Sequence, residues 1–240
     1  MELKDIHPKI IDHLTAQSFI SKYHYTRCCP QGIIIAIGHY YNDTMINCIV
    51  FANPVGRCVA SGLLEGGNQT NTLELVRMVS LEPKPKNLES YCISNSLKII
   101  KKVLPQYKAV ISYADNSMGH TGYVYQASNF YYYGQSRVTY EWYLDGKRMH
   151  ERTFFAKYGT SSKIKLKEML GDRFKVVEQP LTKSKYFILL PQNKKEKKEL
   201  LKRVKVKILP YPKLENKRYD IKTNSFAGKT NTVDTRKKLF

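Results

Sequence analysis

The sequence predicts an α/β fold in which a mixed central sheet is flanked by helices, and three observations carry that expectation. The first is a strand, helix, strand order. T-L-E-L-V-R-M-V-S-L (72–81) alternates as a strand, 87–104 has helical spacing, and A-V-I-S (109–112) is a short apolar run with β-branched residues. Such an order predicts parallel pairing through a right-handed crossover. The second is a pair of hairpin turns, Asn42-Asp43 and Asp145-Gly146, each between strand-like runs and therefore antiparallel. The third is core capacity: 240 residues, 42% hydrophobic and 12% aromatic, suffice for one large core or a core with an appendage.

Taken in order, residues 6–23 place Ile10, Ile11, Leu14, Phe19 and Ile20 near helical spacing and read as one or two short helices. H-Y-T-R-C-C-P-Q-G (24–32) is a polar connector. I-I-I-A-I-G-H-Y and M-I-N-C-I-V-F-A are the strands around Asn42-Asp43, and Asn53 to Gly56 breaks the second. V-A-S-G-L-L-E-G-G-N-Q (59–69) reads as a loop because of its glycines, and no phosphate-binding signature is present in it. After the 72–81 strand, Pro83 and Pro85 stiffen a connector. Asn87 is placed to cap a helix whose buried face holds Ile93, Leu97, Ile100 and Leu104. Beyond Gly134 the pattern gives the Asp145-Gly146 hairpin, a short basic helix over 161–170 closed by Gly171, and the strands F-K-V-V-E-Q and K-Y-F-I-L-L-P. Residues 194–207 then hold eight Lys or Arg against two Glu, and from Tyr219 the composition predicts disorder or a loosely held arm.

The formal charge is +20, from 40 Lys and Arg against 20 Asp and Glu. Such a field draws polyanions: nucleic acid first, an anionic membrane surface second, with plain solubility as the alternative. No run of eighteen apolar residues exists, so no membrane span is expected. The opening M-E-L-K-D lacks the order of a secretory signal, which points to an intracellular setting. Five cysteines, Cys28 and Cys29 adjacent, make a poor disulfide framework. His24 with Cys28 and Cys29 offers soft ligands at a spacing that matches no structural zinc pattern, and no metal site is assigned.

Chemistry concentrates in A-V-I-S-Y-A-D-N-S-M-G-H-T-G-Y-V-Y-Q-A-S-N-F-Y-Y-Y-G (109–134). A strand runs into Tyr113 and Asp115, a Gly-containing turn carries His120, and an aromatic segment brings Tyr125, Gln126, Asn129 and Tyr132. Polar groups just past a strand's carboxyl end are where α/β sheets bind ligands. Asp115 and His120 supply a carboxylate and an imidazole for orienting or deprotonating an amine. Tyr113, Tyr125 and Tyr132 can stack on a base or give a proton. Arg77, within L-V-R-M-V, needs a partner if buried, and that partner could be a phosphate, a substrate carboxylate or Asp115. Glu74 and Arg77 point to opposite faces of a regular strand unless a bulge lies between them. No Ser-His-Asp order, G-x-S-x-G elbow or zinc-deaminase signature appears, and Ser112 is not read as a nucleophile.

The block from Tyr113 to Gly134 closely resembles the signature of the phage Mom adenine-modification family, whose fold is related to the GNAT-type N-acetyltransferases. K-Y-H-Y-T-R (22–27), F-A-N-P-V-G-R (51–57), E-L-V-R-M (74–78) and L-D-G-K-R-M-H-E-R-T (144–153) resemble its other blocks in the right order, so that the likeness spans about residues 10–190. The resemblance implies an acetyltransferase-like, twisted mixed sheet in a catalytic domain of residues 1–191, followed by a basic, partly disordered extension over 192–240. It implies a phage- or prophage-encoded transferase in the host cytoplasm. The reaction would add a carbamoylmethyl or acyl-derived group to adenine N6 of double-stranded DNA and so protect it from restriction. It places catalytic roles on Arg77, Asp115 and Tyr125, with Tyr113 and His120 alongside. Substrate contact would fall to Ser112, Gly122, Gln126, Asn129 and Tyr132. The donor is open between acetyl-CoA, an aminoacyl donor and iron-assisted chemistry, since E-P-K-P-K-N stands where a glycine-rich pyrophosphate cradle is usual. Lys194, Lys195, Lys197, Lys198, Lys202 and Arg203 are the expected nucleic-acid contacts. A non-catalytic DNA-binding protein of the same fold, or an acyl-CoA-dependent acetyltransferase acting on another amine, are the alternatives.

Overall fold

The computed structural model describes residues 1–116, 119–137, 139–179, 182–212, 218–220 and 225–227. The chain divides into two compact units, one of residues 1–134 and 184–240, the other of residues 135–183. The expected boundary after Pro191 falls within the first unit.

The first unit is built on a seven-stranded sheet. Its strands are β1 (His7–Ile11), β2 (Ile33–Tyr41), β3 (Thr44–Ala52), β4 (Thr72–Ser80), β5 (Ala109–Asp115), β6 (Tyr131–Gln135) and β10 (Lys183–Leu189), in the order β1-β2-β3-β4-β5-β10-β6. The first four strands pair antiparallel and β4 pairs β5 in parallel, giving the expected mixed sheet. Asn42 and Asp43 both take positive φ, as the tight two-residue turn between β2 and β3 demands. One face is covered by α3 (Leu88–Val103), which buries Leu88, Cys92, Ile93, Leu97 and Ile100, and by α4 (Tyr123–Ala127). The other face receives α1 (His13–Tyr23) through Ala16, Phe19 and Ile20, and α2 (Arg57–Leu63) through Leu63.

Several local expectations change. Residues 7–11 are strand, not helix: Pro8 suits an edge position, and the segment pairs with β2 along its whole length while Ile10 stays 54% exposed. The glycine-rich stretch after Arg57 opens as α2, because burying Ala60, Leu63 and Leu64 outweighs the cost of Gly62 within it. Asn87 sits at the cap position of α3, but with φ +66 and no side-chain capping bond; its carbonyl instead accepts from Tyr91.

The basic run after Pro191 folds as α7 (Lys194–Arg203), capped by Asn193 through the Glu196 amide. Leu200 is 2% exposed among Leu63, Ile111 and Phe187, and Glu196 pairs with Lys108 at 2.8 Å. Bridges from Leu64 to Val204 and from Tyr132 to Leu209 tie the following residues to the body. Leu200→Ala should therefore cost about 2–5 kcal/mol of stability in urea unfolding, whereas a loosely attached arm would tolerate it with no change. Further on, β11 (Arg218–Asp220) and β12 (Ser225–Ala227) form an antiparallel pair where disorder was expected; the remainder of that expectation falls outside the described residues.

The second unit is a three-stranded antiparallel sheet, β8-β7-β9, made by β7 (Thr139–Leu144), β8 (Lys147–Met149) and β9 (Phe174–Gln179). The expected Asp145-Gly146 hairpin joins β7 to β8, both residues at positive φ. Two helices, α5 (Glu151–Tyr158) and α6 (Lys163–Leu170), complete it, and the core is Trp142, Leu144, Phe154, Leu166 and Phe174. α6 is the basic helix expected from the sequence, capped by Ser162 and closed by Gly171.

Candidate functional site

The parallel pairing of β4 and β5 runs only from Thr72↔Ala109 to Leu75↔Ser112, although β4 continues to Ser80 and β5 to Asp115. At the same level β4 carries a bulge. Phe51 pairs Leu75 and Val50 pairs Arg77, leaving Val76 as the extra residue. The bulge breaks the alternation that would have set Glu74 and Arg77 on opposite faces. The Arg77 guanidinium donates to the Val76 carbonyl at 2.7 Å and to the Cys28 carbonyl at 3.1 Å, so it fastens the connector after α1 to the bulge. Its partner was open among a phosphate, a substrate carboxylate and Asp115; two of its donors go to backbone carbonyls.

Ser112 is buried, and its hydroxyl donates to the Leu75 carbonyl at 3.1 Å, where the two strands part. The Tyr125 hydroxyl is hydrogen-bonded to Ser112. Burial pushes the Tyr125 phenol up to about 12, the Ser112 bond acting against it, so Tyr125 stays protonated and can only give a proton. Tyr113, on β5, accepts from Tyr133 on β6, and burial raises both phenols. The Glu74 carboxylate faces Tyr113, Tyr125 and Tyr133 and further raises each, and one of its oxygens takes the Val55 amide at 3.4 Å.

Beside this group lies a second. The His120 amide donates to the Asp115 carbonyl at 3.1 Å, closing the turn after β5. Burial lowers the His120 pKa, and the nearby Asp115 carboxylate opposes it. The Tyr25 ring stands edge-on to His120 at 5.7 Å between centroids, and Tyr25 is raised by burial first and by Asp115 second. His24 Nδ1 accepts from the Thr26 amide at 3.2 Å, and burial, with Arg77 and His120 close by, brings its pKa down to about 4. The electrostatic influence of Tyr25 on Tyr125 joins the two groups. Asp115, His120, Tyr125, Tyr113, Ser112 and Arg77 are thus brought together. His24, Tyr25, Glu74 and Tyr133 join them; the sequence had marked them only as members of family-like blocks and, for Glu74, through the bulge alternative.

The other four expected substrate contacts fall around Tyr186, whose ring lies 5.4 Å from that of Tyr125, and in the turn after α4. Tyr186 donates to the Thr121 carbonyl at 2.6 Å and accepts from Gln126 at 3.0 Å, while Tyr132 packs on its ring at 5.3 Å. Gly122, at φ +82, lies so close under the same ring that a Cβ would overlap it. These three residues seat α4 on Tyr186. Asn129 is exposed, with φ +61, and turns the chain from α4 into β6. Of the expected basic contacts, Arg203 donates to the Glu65 carbonyl at 2.6 and 3.1 Å, whereas Lys194, Lys195, Lys197, Lys198 and Lys202 are exposed on α7.

Two groups bear on the donor. Among the described residues, no three His, Cys, Asp or Glu side chains are grouped to hold a metal ion, and no step below passes through iron. At the start of α3, Lys84 is tied to Glu82 and Glu89, and E-P-K-P-K-N carries no glycine.

His39 resembles His24 in being buried and lowered to about 4. Both imidazoles bind fewer protons in the folded than in the unfolded chain between pH 4 and 6.5. Stability should be full above pH 6.5 and fall by on the order of a few kcal/mol as pH drops to 4. Urea midpoints across that range test this, and a flat profile in a His24→Gln/His39→Gln variant would complete the assignment.

The family model of the Mom protein family matches residues 5–213. The chain belongs to the Mom protein family. It is 31% identical over 215 residues to methylcarbamoylase Mom of Escherichia phage Mu, covering 88% of this chain and 85% of that protein. Overlays with solved acetyltransferases are looser. A GNAT family acetyltransferase from Elizabethkingia anophelis with acetyl-CoA bound is 14% identical, covers 78% of this chain and 99% of its own, and gives a TM-score of 0.39. A spermidine/spermine N-acetyltransferase from Vibrio cholerae is 7% identical, covers 83% and 98%, and gives 0.44. No helix among the described residues is long and apolar enough to cross a membrane.

Proposed function

We propose that this Mom-family transferase adds a carbamoylmethyl or related acyl-derived group to the exocyclic N6 of adenine in duplex DNA, in the host cytoplasm, and so shields phage DNA from restriction. The observation that carries the reading is the meeting of Asp115 and His120 with the Ser112–Tyr125 pair at the point where β4 and β5 part. The relative from phage Mu, a methylcarbamoylase by name, supports the kind of group transferred.

The chemistry follows from the groups present. Adenine N6 is a weak nucleophile because its lone pair is delocalised into the ring, so positioning and electrostatics must lower much of the barrier. The Asp115 carboxylate orients the amine and takes its proton as the N6–carbon bond forms. Tyr125, protonated by virtue of its burial, gives its proton to the group leaving the donor carbon. His120, kept neutral by burial, holds the turn that presents Asp115. Arg77 fixes the wall of the crevice through Val76 and Cys28. The donor carries its leaving group on the carbon that N6 attacks, the methylene carbon for a carbamoylmethyl group and the carbonyl carbon for an acyl group, and this reactive end enters between the parted strands. Presenting a stacked adenine to both donor and base is difficult, so the target base leaves the helix before reaction.

Mass spectrometry of nucleosides from DNA of cells expressing the protein tests the reading. A new adenosine derivative is expected, and its mass increment identifies the group. Unmodified adenine throughout, with folded protein present, counts against it. Tyr125→Phe should lower modification by about 10²-fold or more, the range for loss of one general acid, with no change in duplex affinity. Full activity in that variant would remove Tyr125 from the proton transfer. The lysines of α7 contribute backbone attraction, and because Leu200 belongs to the core, they are tested by substitution rather than truncation.

A further inference from the structure

The second unit, residues 135–183, has no role in the chemistry above, yet its surface is unlike that of a structural insert. Within 49 residues it carries seven Lys and four Arg against six Asp and Glu. It also holds four of the exposed large apolar side chains: Tyr140 at 40%, Phe155 at 59%, Ile164 at 72% and Met169 at 59%. α5 and α6 are each anchored to the unit's core by one fully buried side chain, Phe154 and Leu166, and most of both helices is left in water. On those two helices the exposed cations Arg152, Lys157, Lys165 and Lys167 interleave with Phe155, Ile164 and Met169.

Beside α6 is a solvent-open hollow of about 640 Å³, its lining including Tyr140, Arg148, His150, Ser161 and Lys163. Two carboxylates, Glu141 and Glu151, also line it, and Glu141 is neutralised by Arg148 at 2.8 Å. Lysines spaced among apolar side chains match the surface of a polyanion with apolar edges. A nucleic-acid duplex offers phosphates outside and base edges within its grooves, and cations then provide affinity while apolar groups enter a groove or wedge a step. An anionic lipid surface would also attract the cations. Its contact is a continuous apolar face, however, and here the apolar residues are separated by charge along both helices.

We propose that the α5–α6 face of residues 135–183 is the surface that grips duplex DNA, an inference that rests on the DNA reading above and locates its binding energy in a unit separate from the catalytic residues. Arg152, Lys157 and Lys165 contact phosphates, and Phe155 and Ile164 lie against a groove. The sequence reading had placed nucleic-acid contact in the run after Lys194; this assignment makes α7 a secondary attraction.

The test is a fluorescence-anisotropy titration of a labelled 20-base-pair duplex with full-length protein at several salt concentrations. The triple variant Arg152→Ala/Lys157→Ala/Lys165→Ala should flatten the slope of log affinity against log salt by about 2.7, the value for three lost phosphate contacts. Phe155→Ser/Ile164→Ser should lower affinity about tenfold or more and leave the slope as it was, since no charge is removed. A Lys194→Ala/Lys197→Ala/Lys198→Ala variant should change the slope less than the α5–α6 triple. Circular dichroism confirms that each variant is folded. Binding by the α5–α6 triple with wild-type affinity and slope overturns the assignment and leaves the enzymatic reading intact. Loss of self-association instead of DNA binding gives the face to a second copy and also overturns it. A wild-type protein that fails to bind duplex at about 50 mM salt overturns both readings together.

Discussion

Asp115→Asn is expected to lower adenine modification by about 10²–10⁴-fold while duplex affinity and unfolding midpoint stay at wild-type values, because the amide cannot accept the N6 proton. Asparagine is nearly isosteric, and the turn after β5 is closed by the Asp115 backbone carbonyl, which the substitution keeps. Loss of the carboxylate should also let the Tyr25 phenol fall towards its ordinary value, since Asp115 helps to raise it. The measurement is nucleoside mass spectrometry on DNA from cells expressing each variant at matched levels. Modification at the wild-type level removes Asp115 from the mechanism. Protection from restriction that persists in the Asn variant without any modified adenosine would favour a non-catalytic DNA-binding protein.

A loss of stability as large as that at Leu200 is expected at Gly122. Its φ of +82 costs an L-residue roughly 1–2 kcal/mol, and any Cβ would overlap the ring of Tyr186, which is fully buried and hydrogen-bonded to Thr121 and Gln126. Forcing side-chain volume into a packed site adds about 1–3 kcal/mol. Gly122→Ala should then lose about 2–5 kcal/mol in urea unfolding. Gly146→Ala is the control, since Gly146 has φ +75 and open space around it, so only the backbone cost remains. Equal losses at the two positions would mean that Tyr186 moves aside freely. Because α4 begins at the next residue and carries Tyr125, activity of the Gly122 variant should fall with its stability.

Asp115, His120 and Tyr125 were legible in the sequence because a single strand, turn and helix deliver them, within reach of a local motif. The β4–α3–β5 order was legible for the same reason. His24, Tyr25 and Glu74 reach the site from other strands and connectors, and nothing local to H-Y-T-R-C-C or T-L-E-L marks where the chain will bring them. Gly122, Gln126 and Tyr132 were read as substrate contacts because they sit inside the motif; their partner, Tyr186, lies sixty residues onward, in a strand that the pattern gave without showing what it packs against. β1 was missed because five residues are too few to separate a period of two from one of 3.6, and α7 because six cations masked the two leucines that seat it.

In the sheet order, β10 lies between β5 and β6, so the strand that completes the neighbourhood of β5 is synthesised only after residues 135–183. Pairings so distant along the chain form late, since loop closure precedes the contacts that repay it. On a ribosome, β1 to β4 and α3 can assemble as soon as they emerge, but β5 keeps an open edge until β10 arrives. Tyr186 is carried by β10, and it is the ring on which α4, and with it Tyr125, is seated. Tyr125, the proposed proton donor, is therefore seated only once β10 has emerged, and a nascent chain that lacks β10 is expected to be inert.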